Sequence, residues 1–323
     1  MQNELFFWTK FPESDQIIFG QAKADFNPDN KIIIKPFEGK IINYGISNLR
    51  IQEINLIDNQ FQFLLEENKK QVELDYKNSV EQAIQAIKNN EFQKIVLSRP
   101  KYEKLSEGFN LIDYFKKLAS AYPKAFVQLI YFKGSHAWIG ASPELLIKLN
   151  NSNEFESVSL AGTKKSNENI NWTQKEINEQ AFLNQRFIEL FKKHSVNKYV
   201  IEEPQTLNAG PVEHLFNKVK WRDNQFNLMQ WAEKLHPTPA VGSYPYELAH
   251  KIIPKFEKYN RELYSGYWGF SGDYNLLFVN LRCAKIFSNE ICFYVGAGIT
   301  ADSNSEKEYI ETENKLKTLT QWL

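Results

Sequence analysis

At 323 residues the chain can bury a sizeable core and has room for one large domain or two. Lysine plus arginine and aspartate plus glutamate stand at 39 each. No overall charge bias therefore argues for nucleic acid or an anionic membrane, and an acidic ligand must be held by local placement. Cys283 and Cys292 are the only cysteines, which implies no disulfide framework, fits a reducing compartment and leaves both as buried thiols.

The stretch from Met1 to Asp15 carries an apolar knot at Leu5–Trp8 but neither the basic lead nor the long apolar core of a signal peptide. No run reaches the ~18 apolar residues of a membrane helix, so a cytoplasmic protein with no membrane partner is expected. As far as Leu74 the pattern is short strands and turns, with strands expected at 16–19, 31–36 and 61–65. Val80, Ala83, Ile84 and Ile87 recur at helical spacing and predict a helix over 77–89. The β-branched run Lys94–Pro100 predicts a strand with Lys94, Val96 and Ser98 on one face and Ile95, Leu97 and Arg99 on the other. Lys94 is there either a base facing a cavity or a solvated strand end.

A helix over 110–122 and strands over 125–132, 137–139 and 145–149 follow. Gly140-Ala141-Ser142-Pro143-Glu144 forms a tight entry that fixes the backbone just before a carboxylate. The next strand ends in Ser159–Thr163, where Gly162 permits either close approach to a ligand or a plain turn. A long helix over 173–193 sets Glu176 and Glu179 three residues apart. Strands over 198–201 and 213–221 and a helix over 224–233 lead to Leu235–Pro245, a segment confined by three prolines. His236 in it is either a ligand contact or a hydrogen-bonded core histidine.

A helix over 246–256 and glycine-punctuated strands over 264–277 precede a hairpin of 278–287 and 291–299 turning at Ser288–Glu290. That hairpin places Arg282 inside a strand, where its charge needs a carboxylate from the protein or a substrate. From Tyr294 to Lys315 the order is strand, glycine turn and helix, with a final helix over 306–323. The glycines let backbone approach a bound group, the helix start offers N–H donors to an anion, and Glu308 and Glu311 share a helical face. Two such carboxylate pairs, here and at Glu176 and Glu179, suit a hard ion such as Mg2+ bridging protein and an acidic ligand. Ser305 with Glu308 equally fits a capping box, and Glu311 with Lys315 an ordinary i,i+4 pair.

Seven segments, in order, carry a resemblance to a known family. They are Lys-Ile-Val-Leu-Ser-Arg from Lys94, Ser-Pro-Glu-Leu-Leu from Ser142, Ala-Gly-Thr from Ala161, Leu-His-Pro-Thr-Pro-Ala-Val from Leu235, Tyr-Ser-Gly-Tyr-Trp-Gly from Tyr264, Leu-Arg-Cys-Ala from Leu281, and the run from Gly296 to Lys315. The chain resembles the chorismate-utilising enzymes, and among them the isochorismate synthases. The resemblance covers about 77–317 and implies a single domain over 1–323, with 1–75 as its variable N-terminal part. It also implies an α+β fold of two packed antiparallel β-sheets flanked by helices, with the site in the cleft between them, Mg2+ as cofactor, and the dianion chorismate as substrate.

Carried over position by position, the resemblance makes Glu179 and Glu311 the metal carboxylates, with Glu308 and Glu176 close by. Arg282 and the backbone of Ala297 and Gly298, assisted by Lys315, would take a substrate carboxylate, and Gly162, Thr163, Tyr264 and His236 would line the ring. Isochorismate formation adds water at one ring carbon and expels the hydroxyl two carbons away, which requires a base and an acid. The candidates are Lys94 as base, shifted down from ~10.4, and Glu144 as acid, shifted up from ~4.3.

Two positions sort the relatives. Anthranilate synthases usually carry glutamine where Lys94 stands, and aminodeoxychorismate synthases a nucleophilic lysine where Ala161 stands. Water as nucleophile remains, leaving isochorismate synthase or salicylate synthase, and the His-Pro-Thr-Pro-Ala-Val loop resembles the former. No glutamine amidotransferase partner is implied. Departures from the family pattern stand at Gln180, Ser243 and Lys164-Lys165; a protein that binds chorismate without turnover is the alternative of a different class. Whether the product serves menaquinone, a siderophore or salicylate is open at this stage.

Overall fold

The computed structural model describes residues 3–24, 26–52, 61, 63, 76–165, 171–172, 174–209 and 212–323. The elements in chain order are β1 (Glu4–Lys10), β2 (Ile17–Lys23), β3 (Lys31–Lys35), β4 (Ile42–Gln52), α1 (Tyr76–Lys88), β5 (Lys94–Lys104), α2 (Leu111–Ala121), β6 (Phe126–Phe132), β7 (Ala137–Ser142), β8 (Leu145–Leu149) and β9 (Phe155–Lys165). They continue with α3 (Gln174–Lys193), β10 (Lys198–Ile201), β11 (Gln205–Ala209), β12 (Val212–Arg222), α4 (Leu228–Leu235), β13 (Ser243–Tyr244), α5 (Ala249–Phe256), β14 (Tyr267–Ser271), β15 (Leu276–Val279), β16 (Cys283–Ile286), β17 (Glu290–Ile299) and α6 (Ser305–Thr320). No described helix is long and apolar enough to cross a membrane.

Every strand pairing is antiparallel, and the neighbours form one ribbon that doubles back on itself. Its first half runs β13-β5-β17-β16-β7-β6-β1-β2. The β2–β4 pair joins it to a second half, β4-β3-β14-β15-β8-β9-β12, with β10 and β11 on the far edge of β12. The two halves face each other through an aromatic layer in which Phe7, Phe126 and Trp138 meet Ile34, Trp268, Phe270 and Phe278. Phe126 and Phe278 stack across the seam at 4.2 Å between centroids. Burying such rings is the main driving force for closing the two layers.

Helices cover both outer faces. The apolar stripes of α2 and the end of α6 pack on β6, β7, β16 and β17, α1 and α5 on β5, and α3 and α4 on β8, β9, β12 and β15. The α+β arrangement of two antiparallel layers flanked by helices is therefore as expected.

Several local expectations change. Leu5–Trp8 is part of β1, whose inner and outer faces are both covered, so it shows no alternation to read. The strand expected over 61–65 falls largely outside the described residues. The helix expected from 224 begins at Leu228, because the Asp223 carboxylate first accepts the N–H groups of Gln225 and Phe226, and Asn227 with Gln230 then forms a capping box. The run 278–287 is two strands, β15 and β16, broken at Asn280–Arg282, where Arg282 has φ +47°. Gly296–Gly298 lies within β17, and the turn comes after Ile299. Asn304, not Ser305, caps α6 by accepting the Lys307 N–H, while Ser305 Oγ donates to Glu81.

Candidate active site

Two chain crossings between the layers build one wall of the site. Ser142-Pro143-Glu144 leads from β7 in the first layer to β8 in the second, and Asn280–Arg282 leads back from β15 to β16. The crossings bond to each other: Ser142 Oγ donates to the Val279 carbonyl at 2.6 Å, the Val279 N–H to the Glu144 carbonyl at 3.0 Å, and the Ala141 N–H to the Arg282 carbonyl at 3.1 Å. Gly140 makes this approach possible, since a Cβ there would sit 3.0 Å from the Cys283 Cβ and 3.1 Å from the Arg282 carbonyl oxygen. Behind the second crossing, Asn280 accepts from Gln128 at 2.5 Å and donates to the Leu263 carbonyl at 2.9 Å.

Glu144 is 2% exposed. Burial pushes its carboxyl up to about 7, against the opposing pull of the Thr238 hydroxyl, which donates to Oε1 at 3.2 Å, and of the positive charges of Lys94 and Lys315. Desolvation wins because it acts on the whole carboxylate while one neutral hydroxyl and two cations only partly replace its water. Lys94 opens β5, is 2% exposed, and pairs in register with Tyr244 of β13. The solvated strand end allowed by the sequence is excluded.

Arg282 is half-buried at the second crossing rather than inside a strand. Burial pushes its guanidinium down to about 10, with the Tyr122 phenol counteracting, so it stays a cation at neutral pH. Lys315 donates to Glu311 at 2.7 Å and to the Gly296 carbonyl at 2.9 Å, which anchors α6 to β17. Ala297 and Gly298 pair with Leu97 and Val96 of β5, so Gly298 lies in a strand rather than in a turn. A Cβ on Gly296 would lie 2.8 Å from the Leu97 carbonyl oxygen and 2.9 Å from the Tyr264 hydroxyl. Tyr264 is buried, stacks on Tyr294 at 5.7 Å, and has its phenol held un-ionised by burial.

Glu308 is buried in the first turn of α6, one turn before the half-buried Glu311. Burial first, and then the charges of Glu308 and Glu311, raise the Tyr76 phenol well above its ordinary value. Glu176 lies in the first turn of α3 and Glu179 one turn on. The Glu179 side chain lies outside the described residues; Gln180, the next residue, is buried, and its amide donates to Ser159 Oγ at 3.0 Å and to Asn217, which in turn donates to Asn184 at 3.0 Å, fastening α3 to β9 and β12. Gly162 is the extra residue of a β-bulge: His214 pairs with Thr163 and Leu215 with Ala161, leaving Gly162 unmatched.

His236 is 9% exposed, bonded through Nε2 to the Ser265 carbonyl at 2.8 Å, and set edge-on to Phe37 and Tyr267. Burial pushes it down to about 3. Of the two alternatives open in the sequence, these contacts describe the hydrogen-bonded core histidine. Sequence reasoning missed Thr238, whose neighbours Pro237 and Pro239 mark a held loop, and the buried pair Glu257 and Arg261, whose only signal was its i,i+4 spacing just after α5. Among the described residues no three His, Cys, Asp or Glu side chains gather as a metal site.

Comparison with known proteins bears on this geometry. The family model described as chorismate binding enzyme matches residues 42–323. The chain is 30% identical over 194 residues to isochorismate synthase EntC of Escherichia coli strain K12, covering 56% of this chain and 49% of that protein. It is 28% identical over 266 residues to isochorismate synthase DhbC of Bacillus subtilis strain 168, covering 76% and 66%. The chain thus spans about half to two thirds of the length of these curated relatives. Among solved structures, the 2,3-dihydroxybenzoate-specific isochorismate synthase DhbC of Bacillus anthracis superposes with a TM-score of 0.81 at 24% identity, over 100% of this chain and 96% of that one. That likeness bears on the fold alone.

Proposed function

Because the chain belongs to the chorismate-binding enzyme family, we propose that it is an isomerase converting chorismate to isochorismate, with Lys94 as base and Glu144 as acid. One observation carries the assignment: a carboxyl pushed up to about 7 in the electrostatic company of a buried lysine. Such a carboxyl is substantially protonated at neutral pH and can donate to a departing hydroxyl, a role an ordinary glutamate with pKa ~4.3 fills poorly. Lys94 would take the proton from the attacking water. The curated names of the EntC and DhbC relatives support the same reaction.

Around this pair, Arg282 and Lys315 would hold substrate carboxylates, with the Ala297 and Gly298 backbone beside them. Gly162, Thr163 and Tyr264 would line the ring, and the buried His236 would back it. The hard oxygens of Glu179 and Glu311, with Glu176 and Glu308 close by, fit Mg2+, which takes one or two carboxylates and completes its shell with substrate oxygens and water. The placement of Glu308 and Glu311 one turn apart on α6 supports this reading. Bound there, the ion would neutralise and orient a substrate carboxylate. The chain's own residues carry both proton transfers.

The test is incubation of the purified chain with chorismate, with and without Mg2+, and chromatography of the products. Isochorismate alone is the expected result. Salicylate with pyruvate would reassign the chain as a salicylate synthase using the same residues, and binding of chorismate without consumption would reassign it as a binder.

A further inference from the structure

Resting on the chorismate chemistry proposed above, we propose that Arg261, held by Glu257, is a positioning residue that fixes the strand bearing Lys94 against the loop that holds Glu144. The strand β5 has β17 along one edge and, among the described residues, only the two residues of β13 along the other. On that second edge the Gln93 and Val96 N–H groups donate to the Tyr244 and Gly242 carbonyls at 2.9 and 2.7 Å. Beyond them the strand partner ends, and the Val96 carbonyl and Ser98 N–H would face a gap.

The buried side-chain pair fills it. Arg261 Nη2 donates to the Val96 carbonyl at 2.7 Å, and Glu257 Oε1 accepts from the Ser98 N–H at 2.5 Å and from Ser98 Oγ at 2.9 Å. Guanidinium and carboxylate are bound to each other in fork geometry, Nε to Oε2 at 2.8 Å and Nη2 to Oε1 at 2.6 Å. The pair thus presents one donor and one acceptor to β5, as a strand would.

The remaining guanidinium nitrogen points elsewhere. Arg261 Nη1 bonds the Val241 carbonyl at 2.8 Å, three residues from Thr238, whose hydroxyl meets Glu144. Val96 is two residues from Lys94. One rigid guanidinium, its face packed 4.6 Å over the Phe37 ring, therefore ties the base strand to the acid loop. Lysine cannot copy this, having no planar fork with which to span two carbonyls and a carboxylate.

The experiment compares the 323-residue chain with Arg261→Lys and, as a milder variant should that one not fold, Glu257→Gln. Each is read by thermal unfolding, by kcat and KM on chorismate with Mg2+, and by 13C titration of the Glu144 carboxyl. The groups facing that carboxyl are Lys94 from β5, Lys315 from α6 and Thr238 from the loop. Loosening the loop withdraws the Thr238 hydroxyl, so the Glu144 titration should move upward. We expect kcat to fall about 10- to 100-fold in Arg261→Lys with KM within about threefold of the parent, as for a misplaced rather than missing catalytic group.

A folded variant with unchanged kcat, or a loss that merely tracks the unfolded fraction while the Glu144 titration stays put, would overturn the proposal. Failure of the parent chain to consume chorismate would sink the proposed function instead; the Glu144 titration in the variants would still decide the clamp.

Discussion

Glu144 and Arg282 occupy the two crossings between the layers, which are bonded backbone to backbone, Glu144 buried and Arg282 half-buried. Burial moves each toward neutrality, the carboxyl up to about 7 and the guanidinium down to about 10. The same physical cause has unequal consequences because the two groups start from different places. The acid crosses into the range where it can give and take a proton, whereas the arginine, beginning above 12, remains charged at pH 7. Desolvation thus leaves a carboxyl that can be protonated at neutral pH on one crossing and a fixed cation on the other, a difference that the residue types alone do not state.

Glu144→Gln breaks the first side of this comparison most severely. We expect chorismate turnover to fall by about 10²–10⁴, measured as isochorismate formed. Stability should move the other way. The folded carboxyl ionises near 7 and the unfolded one near 4.5, so its contribution is complete below the unfolded value and is lost as pH rises through about 7. At pH 8 the glutamine variant should therefore be about 3 kcal/mol more stable than the parent, with the gap closing toward pH 4.5. Urea unfolding at the two pH values checks this; a constant gap would mean the carboxyl is not the cause.

On the other crossing, Arg282→Lys keeps a cation but removes the planar fork. The expected effect is a loss of about 10- to 100-fold in kcat/KM, expressed mostly in KM. A pure kcat effect would instead place Arg282 with the reacting atoms.

Thr238→Val sharpens the acid alone. Removing a donor to the ionised form raises the Glu144 pKa, so the alkaline limb of the kcat/KM profile should shift upward by about half a unit to one unit, with little change at pH 6. A downward shift would show that the hydroxyl serves the protonated form. The smallest change is expected for His236→Asn. With its pKa near 3, His236 is neutral throughout the working range, so both limbs should stay in place even if KM rises severalfold; a moved limb would identify it as a titrating group.

Much of this arrangement was legible along the chain. Local periodicity predicts most of the strands and helices, while the two layers and most of the candidate site residues are implied by the resemblance that the seven ordered segments carry. Where periodicity fails, so does the prediction: β1 is buried on both faces, and the broken run at Asn280–Arg282 looks like a continuous strand since nothing local announces a crossing. Thr238, Glu257 and Arg261 were not nominated, for their importance lies in partners 94, 159 and 165 positions away.

The sequence by itself determined which chemistry was on hand: a lysine at a strand start, a glutamate after Ser-Pro, two pairs of carboxylates on helices, and an arginine needing an acid. Only the tertiary structure decided how Glu144 and Arg282 ionise and which groups surround Glu144. Desolvation is set by what packs against a group in space, and the β7–β8 crossing brings Glu144 under Thr238, Lys94 and Lys315 at once. No window of neighbouring residues contains that environment.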